Sequence, residues 1–232
     1  TEYIDLINPN ISIPAKHTTY WCQAFKLPNF EEEKRHIVRF EPVVQAGHEG
    51  ITHHILLYAC QHDFDEDAHH GIGAECYKDL MGEVDKCEKI IYAWAIGAPA
   101  INFPEHVGFP FGKGFKPTMM RLQVHYDNPS LTSGIKDSSG IRIYHTKDLR
   151  QYDAGLLSAG AGFYGIMVPP GYQSLTFQAH CTSDCLSEVI PENEDIKFFA
   201  GMLHAHLLGR KMRVRHLRNG KELPPLIKDD NY

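Results

Sequence analysis

Helical periodicity is nearly absent from the pattern of hydrophobic and polar residues along this chain. Short runs of β-branched and aromatic residues are instead separated by glycine, proline, asparagine and aspartate, as in sandwich and barrel proteins. The pattern therefore predicts an all-β fold. Strands are expected over residues 36–44, 50–60, 90–96, 118–126, 140–145, 172–179, 196–207 and 212–217. The last strand should turn back through Asn219-Gly220, a strong signal for a two-residue hairpin.

A change of composition near residue 150 divides the chain. Residues 146–153 are polar and precede a stretch of small residues over 154–165. We therefore predict a first domain over residues 1–148 and the start of a second domain over 149–232. The chain has 232 residues and is 43% hydrophobic, which is sufficient for one large or two ordinary β domains.

Charge and hydropathy argue against two kinds of partner. The formal net charge is −6, and no long run of lysine and arginine is present, which argues against nucleic acid. No apolar run approaches the roughly 18 residues that span a bilayer, so we expect no membrane segment in this range.

Cysteines and a glycosylation sequon suggest the secretory pathway. The cysteines are even in number, and four of them lie around the histidine pair at 53–54, which favours a disulfide framework formed in an oxidising compartment. Six free buried thiols are the alternative. Asn10-Ile11-Ser12 is a sequon for glycosylation at Asn10. The six cysteines are Cys22, Cys60, Cys76, Cys87, Cys181 and Cys185.

A spaced histidine pair is the first candidate metal site. On a strand, residues i and i+2 point to one face, so His204 and His206 would present two imidazole rings side by side, with Met202 on the same face. Two exposed strand histidines are the alternative. Apolar neighbours make the segment look buried: Phe198, Phe199, Leu203, Leu207 and Leu208.

An adjacent pair, His53-His54, is the second candidate. Neighbouring side chains of a regular strand point to opposite faces, so one ion can engage both rings only through a bulge or through different ring nitrogens. A third ligand is available on the strand over 118–126, where Arg121, Gln123 and His125 share the polar face. His125 is the best candidate, with a surface histidine as the alternative.

Seven ordered motifs closely resemble one family. They are Thr-Tyr-Trp-Cys at 19–22, His-His-Ile-Leu-Leu-Tyr-Ala-Cys at 53–60, Tyr-Ala-Trp-Ala at 92–95, Leu-Gln-Val-His-Tyr-Asp-Asn-Pro at 122–129, Tyr-Asp-Ala-Gly at 152–155, Val-Pro-Pro-Gly at 168–171 and Leu-His-Ala-His-Leu-Leu-Gly-Arg at 203–210. The family is the copper, ascorbate-dependent monooxygenases, and the nearest group is the dopamine-β-hydroxylase-like monooxygenases. The resemblance covers nearly the whole chain.

The resemblance implies two consecutive antiparallel β-sandwich, jelly-roll-like domains, each with one copper. His53, His54 and His125 would hold the electron-transfer copper, and His204 and His206 the oxygen-binding copper. Ascorbate would reduce both coppers, and O2 would bind at the second, where a substrate C–H bond is hydroxylated. Imidazole ligands tolerate both oxidation states of copper.

In this family the oxygen-binding copper also takes a methionine from a strand well beyond the His-x-His motif. This chain ends at Tyr232, soon after the hairpin that follows the motif. Met202 and Met212 lie near the motif, but neither occupies the position of the family's methionine. The resemblance therefore implies a C-terminally truncated piece of a longer catalytic core, with an incomplete second domain.

The same resemblance implies a disulfide pairing. Cys22 would pair with Cys76, and Cys60 with Cys87. The family partners of Cys181 and Cys185 lie in the part beyond this sequence. A bridge between those two cysteines is the alternative.

Three positions bear on the substrate. The peptide-amidating branch carries an arginine where this chain has Met202, which can offer no charged fork to a substrate carboxylate and so argues against peptidylglycine substrates. Tyr20 and Gln123 are candidates for the lining of the cleft, with a packed tyrosine and a solvated glutamine as the alternatives.

These observations predict a copper monooxygenase that uses ascorbate and O2 to hydroxylate a small molecule, with aromatic amines among the candidate substrates. A secreted copper-binding module without turnover is the rival hypothesis. An unrelated zinc hydrolase is disfavoured, because no glutamate or aspartate lies beside either histidine pair as a general base. The oligomeric state is left open.

Overall fold

The computed structural model describes residues 1–28, 30, 32–115, 118–160, 166–188, 190, 194–205 and 208–232. The chain divides into two compact units, a first unit over Thr1–Gly155 and a second unit over Leu156–Tyr232. Strands account for nearly all of the regular structure, so the predicted all-β class is confirmed. Residues 149–155 belong to the first unit, and the predicted domain boundary after residue 148 stays a prediction.

The first unit contains thirteen strands and two short helices among its described residues. The strands are β1 (Glu2–Ile7), β2 (Ile11–Ser12), β3 (Thr18–Lys26), β4 (Lys34–Val43), β5 (Thr52–Ala59), β6 (Gly73–Glu75), β7 (Lys89–Ala95), β8 (Ile101–Asn102), β9 (Val107–Gly112), β10 (Met119–Asp127), β11 (Lys136–Asp137), β12 (Gly140–Thr146) and β13 (Tyr152–Asp153). The helices are α1 (Glu66–His69) and a 3-10 turn over Gly82–Lys86.

Two sheets pack face to face in the first unit. One has the strand order β1-β12-β4-β9-β13, with β8 also paired to β4, and the other has the order β6-β3-β10-β5-β7. A small pair, β2 and β11, lies beside them. The core between the sheets includes Ile37, Phe40 and Ile141 from the first sheet and Leu57 and Leu122 from the second. This is the sandwich architecture that the resemblance implied.

Strand β10 shows how alternation places the candidate site. Met120, Leu122 and Val124 belong to the core between the sheets. Because successive side chains of a strand point to opposite faces, Gln123 and His125 project from the outer face of the second sheet. The predicted division of this strand into an apolar and a polar face therefore holds.

A second apolar cluster covers part of that outer face. It contains disulfides between Cys22 and Cys76 and between Cys60 and Cys87, which are the pairs that the resemblance implied. The disulfides join the segment that carries α1 and the 3-10 turn to strands of the sheet. The outer face is thus covered near the disulfides, and the histidines lie farther along the same strands.

The second unit has one regular sheet in its described part. Strands β14 (Met212–Arg218) and β15 (Lys221–Asp229) form an antiparallel hairpin, and a short helix, α2, spans Ser183–Ser187. Asn219 and Gly220 join the strands with φ values of 51° and 71°, as a two-residue hairpin turn requires. The predicted hairpin is present.

Two predicted strands of the second unit are absent. Residues 172–179 and 196–205 are irregular, and residues 206–207 lie outside the described part of the chain. A β-branched or aromatic run becomes a strand only when a neighbouring strand accepts and donates its backbone hydrogen bonds. The expected burial is also wrong, because Phe198 and Phe199 are exposed.

Among the described residues, no helix is long and apolar enough to cross a membrane.

Candidate metal centre

A β-bulge brings the three histidines of the first unit together. Strand β10 pairs with β5 so that His125 lies opposite His54, whereas the next residue, Tyr126, lies opposite Thr52. His53 is therefore the extra residue of a bulge, and its ring can turn toward the same ion as its neighbour's. A regular strand would have sent the two rings to opposite faces, which is the difficulty that the sequence raised.

The ring nitrogens converge on one small volume. The Nδ1 atom of His54 lies 3.2 Å from Nδ1 of His53 and 3.2 Å from Nδ1 of His125. One nitrogen from each ring lies within 4.8 Å of the other two, and this is the one such group of three or more His, Cys, Asp or Glu residues in the described part of the chain. Three imidazole lone pairs can therefore be offered to one ion.

The environment of His125 favours a neutral ring. Burial and, to a smaller extent, the nearby His53 lower its pKa from 6.5 to about 4. The ring is therefore neutral at pH 7 and keeps a lone pair for a metal. Its Nε2 is buried with no hydrogen-bond partner among the described residues.

The accessibility of the cluster is graded. His53 is exposed, whereas His54 and His125 are half-buried. Within the first unit, the cluster is therefore most accessible at the ring of His53. The inner two rings are held by the sheet, because His54 and His125 form a cross-strand pair.

Tyr20 packs directly against this cluster. Its ring stacks on that of His125, with centroids 4.3 Å apart and planes 10° apart, and lies 6.0 Å from His54. Burial raises the pKa of the Tyr20 hydroxyl, so the side chain stays neutral. Tyr20 therefore packs on a candidate ligand, and its role in lining a cleft stays a prediction.

Gln123 is buried rather than solvated. It is 1% exposed, and its Nε2 donates to the hydroxyl of Tyr77 at 3.0 Å. Tyr77 in turn meets the edge of Tyr20 at 5.7 Å. The sequence offered one indirect signal for Tyr77, its position directly after Cys76. Its backbone has a φ of 63°, which no pattern of hydrophobic residues could have predicted.

The candidate ligands of the second unit are not brought together in the described residues. His204 and Met202 are exposed, and His206 lies outside the described residues. Cys181 and Cys185 are free and exposed thiols, with sulfur atoms 3.8 Å apart. The alternative bridge between them is not formed. Asn10 is exposed, with a φ of 53°.

Both halves of the chain match one family. Residues 4–133 match the N-terminal domain of the copper type II ascorbate-dependent monooxygenases, and residues 152–232 match the C-terminal domain. The chain belongs to this family.

Named relatives agree. The chain is 45% identical over 99% of its length to DBH-like monooxygenase protein 1 of Homo sapiens and 43% identical over all of its length to the Gallus gallus protein of the same name. It is 35% identical to dopamine beta-hydroxylase of Bos taurus over all of its length. In each case it spans 38% of the relative.

The residues of the first unit fit a copper ion. Imidazole nitrogen is a good donor for copper, and an all-imidazole set suits both of its common oxidation states. The three Nδ1 atoms lie close enough to share one ion, and the buried ring is held neutral. The fit rests on these features of the side chains and is independent of the family assignment.

Proposed function

We propose that this chain is part of an enzyme that uses ascorbate and O2 to hydroxylate a C–H bond of a small molecule. The observation that carries the proposal is the convergence of three histidine Nδ1 atoms at a β-bulge, in a chain whose family is copper- and ascorbate-dependent. Residues 1–148 would form the electron-transfer domain, and residues 149–232 the start of the oxygen-binding domain.

In this proposal His53, His54 and His125 hold the electron-transfer copper, and His204 and His206 hold the oxygen-binding copper. Copper would supply one-electron redox chemistry at each centre. The all-imidazole set of the first unit would keep the ion bound through a change of oxidation state.

The side chains around the first centre would control access and geometry. The exposed ring of His53 would let ascorbate come within electron-transfer distance from solvent. Tyr20 would cover one face of the His125 ring and so limit water and rotation there. The hydrogen bond between Gln123 and Tyr77 would hold the second aromatic ring against Tyr20.

An aromatic amine is the substrate class that we favour. One group of relatives is named for dopamine, an aromatic amine. Met202 carries no charge, so it cannot bind a carboxylate as an arginine would. Tyr20 and Gln123 remain candidates for the cleft lining. The stacking of Tyr20 on His125 and the hydrogen bond from Gln123 to Tyr77 also support a role in holding the first centre.

We also propose that the protein is made in the secretory pathway and glycosylated at Asn10. Two disulfides fasten the first unit, which favours an oxidising compartment. Asn10 is exposed in a turn between β1 and β2, where an oligosaccharide can be attached without entering the core.

Copper stoichiometry tests the first centre. We expect His125→Ala to lose one copper per chain after saturation and dialysis, because it removes one of the three rings of the cluster. His106→Ala is the matched control, since it removes an exposed histidine of the same unit outside the cluster. Unchanged stoichiometry in His125→Ala would refute the assignment of the ligands.

Turnover separates an enzyme from a binding module. In the full-length protein, ascorbate-dependent hydroxylation of an aromatic amine should disappear in His125→Ala and persist in His106→Ala. Copper binding without turnover toward any amine tested would favour the copper-binding module instead.

A further inference from the structure

The bulge that brings the histidines together needs support, because its extra residue interrupts the regular pairing of β5 with β10. The residues on either side of the interruption are Thr52, directly before His53, and Tyr126, directly after His125. Both are fully buried beneath the cluster. Whatever fixes these two residues therefore also fixes the spacing of the three rings.

A buried carboxylate is linked to both residues, directly to Tyr126 and through Ser139 to Thr52. Asp137, at the end of β11, is completely buried and receives hydrogen bonds at both oxygens. Its Oδ2 accepts from the hydroxyl of Tyr126 at 2.7 Å and from the backbone N–H of Ser139 at 2.7 Å. Its Oδ1 accepts from the hydroxyl of Ser139 at 2.8 Å and from Nδ1 of His48 at 2.7 Å.

On the β10 side, this network acts directly on the neighbour of a candidate ligand. The hydroxyl of Tyr126 is the donor in its bond to Asp137, because the carboxylate oxygen accepts. The same hydroxyl accepts from Nδ2 of Asn8 at 2.8 Å. The side chain that follows His125 is therefore held by two polar partners as well as by the core.

On the β5 side, the network acts through the loop before the histidine pair. The backbone carbonyl of His48 accepts from the N–H of Thr52 at 2.9 Å. The hydroxyl of Thr52 lies 3.4 Å from that of Ser139. The loop is therefore joined to Asp137 by one side chain and to the start of β5 by one backbone bond.

We propose that Asp137 is a positioning residue for the His53, His54 and His125 centre, which it holds in register by joining the two sides of the β-bulge. Its hydrogen bonds are to Tyr126, Ser139 and His48, so it acts through residues beside the ligands and is not a catalytic residue. The inference rests on the proposed function, because the property that Asp137 sets is the geometry of copper binding.

Asp137→Asn is the most direct test. The side-chain amide has nearly the same shape, but only one of its two terminal atoms can accept hydrogen bonds. The other is an NH2 group, which would face donors that now bond to the second carboxylate oxygen. Loss of a group hydrogen-bonded to a metal ligand typically costs about 10- to 100-fold in affinity. Because Asp137 acts on the neighbours of the ligands, we expect the affinity of the first centre for copper to fall by about tenfold. The Cu(II) electron paramagnetic resonance spectrum should change, because the three nitrogens shift.

Matched variants separate positioning from general destabilisation. Tyr126→Phe removes one hydrogen bond to Asp137, and we expect a smaller change of the same kind. Tyr92→Phe is its control, since the buried hydroxyl of Tyr92 has no hydrogen-bond partner in the described part of the chain. Asp153→Asn removes a carboxylate from the other sheet, where it bonds His36 at 2.8 Å and Lys34 at 2.7 Å. Both controls should keep the wild-type spectrum and affinity.

Copper affinity is measured by competition with a chelator, at a temperature where every variant is folded by circular dichroism. Wild-type affinity and spectrum in Asp137→Asn would overturn the proposal. If that variant does not fold, Tyr126→Phe decides, and an unchanged spectrum and affinity there would overturn it equally. Full copper binding by His125→Ala would instead refute the proposed function.

Discussion

The two units carry histidine signatures of similar strength in the sequence, yet only in the first unit do the described residues bring the histidines together. In the first unit, three histidines meet at a bulge above a closed core and beside two disulfides. In the second unit, Met202 and His204 are exposed, and the regular sheet is one hairpin among the described residues. A candidate metal site is recognisable where backbone pairing and a packed core hold its donors. Spacing along the chain is insufficient.

Removal of the disulfides should have the largest effect, because they stabilise the first unit and are absent from the described part of the second. We expect Cys22→Ser with Cys76→Ser to destabilise the first unit by about 2–5 kcal/mol in thermal or denaturant unfolding. Removal of the Cys60–Cys87 pair should cost less. The closed loops span 54 and 27 residues, and a doubling of loop length is worth roughly 0.6 kcal/mol in chain entropy. Cys181→Ser with Cys185→Ser is the control, and it should leave this transition unchanged. A first unit that melts normally without either disulfide would contradict the prediction.

Acidification should have the next largest effect, because it should destabilise the first unit through His125. The pKa of His125 is lowered from 6.5 to about 4, so between these values the unfolded chain binds a proton that the folded first unit does not. In the metal-free protein, the contribution of the neutral His125 to the free energy of unfolding should therefore be fully present above about pH 6.5. It should decrease as the pH falls toward 4. His125→Gln removes this contribution. The free energy of unfolding, measured over that pH range, should depend more steeply on pH in the wild type than in His125→Gln. Equal slopes would refute the effect.

The hairpin turn of the second unit should give the smallest effect. Gly220 has a φ of 71°, and a side chain placed there would strain the left-handed backbone. We expect Gly220→Ala to destabilise the hairpin by about 1 kcal/mol, with no change in copper binding by the first unit. Hydrogen exchange of the β14 and β15 amides measures the first effect, and equilibrium dialysis measures the second. Unchanged exchange in both strands would show that the turn is not limiting.

The strands that bear the first centre were predictable in part. Alternation along β10 put His125 on the outer face with Gln123, and β5 was expected from its apolar run. Strand β3 was missed, although it carries Tyr20 and pairs with β10 along nine residues. Its alternation is irregular because both of its faces are covered, one by the core and the other by the disulfide cluster.

The strand predictions were wrong where a strand-like run has no neighbouring strand to pair with. The runs at 172–179 and 196–205 have strand-like composition, yet in the structure they pair with no neighbouring strand among the described residues. The hairpin of β14 and β15 formed as predicted because its signal is local. Asn219 and Gly220 can both adopt positive φ, so the turn brings the partner strand with it.

The sequence by itself determined the all-β class, the histidines able to bind a metal and the polar face that carries His125. These follow from residue type and from a period of two, which are local properties. Tertiary structure alone decided which residue of the histidine pair is bulged, which side chains pack on the rings, and that Asp137 lies beneath them. Those features depend on register between strands far apart in the chain, and a shift of one residue reverses every side chain.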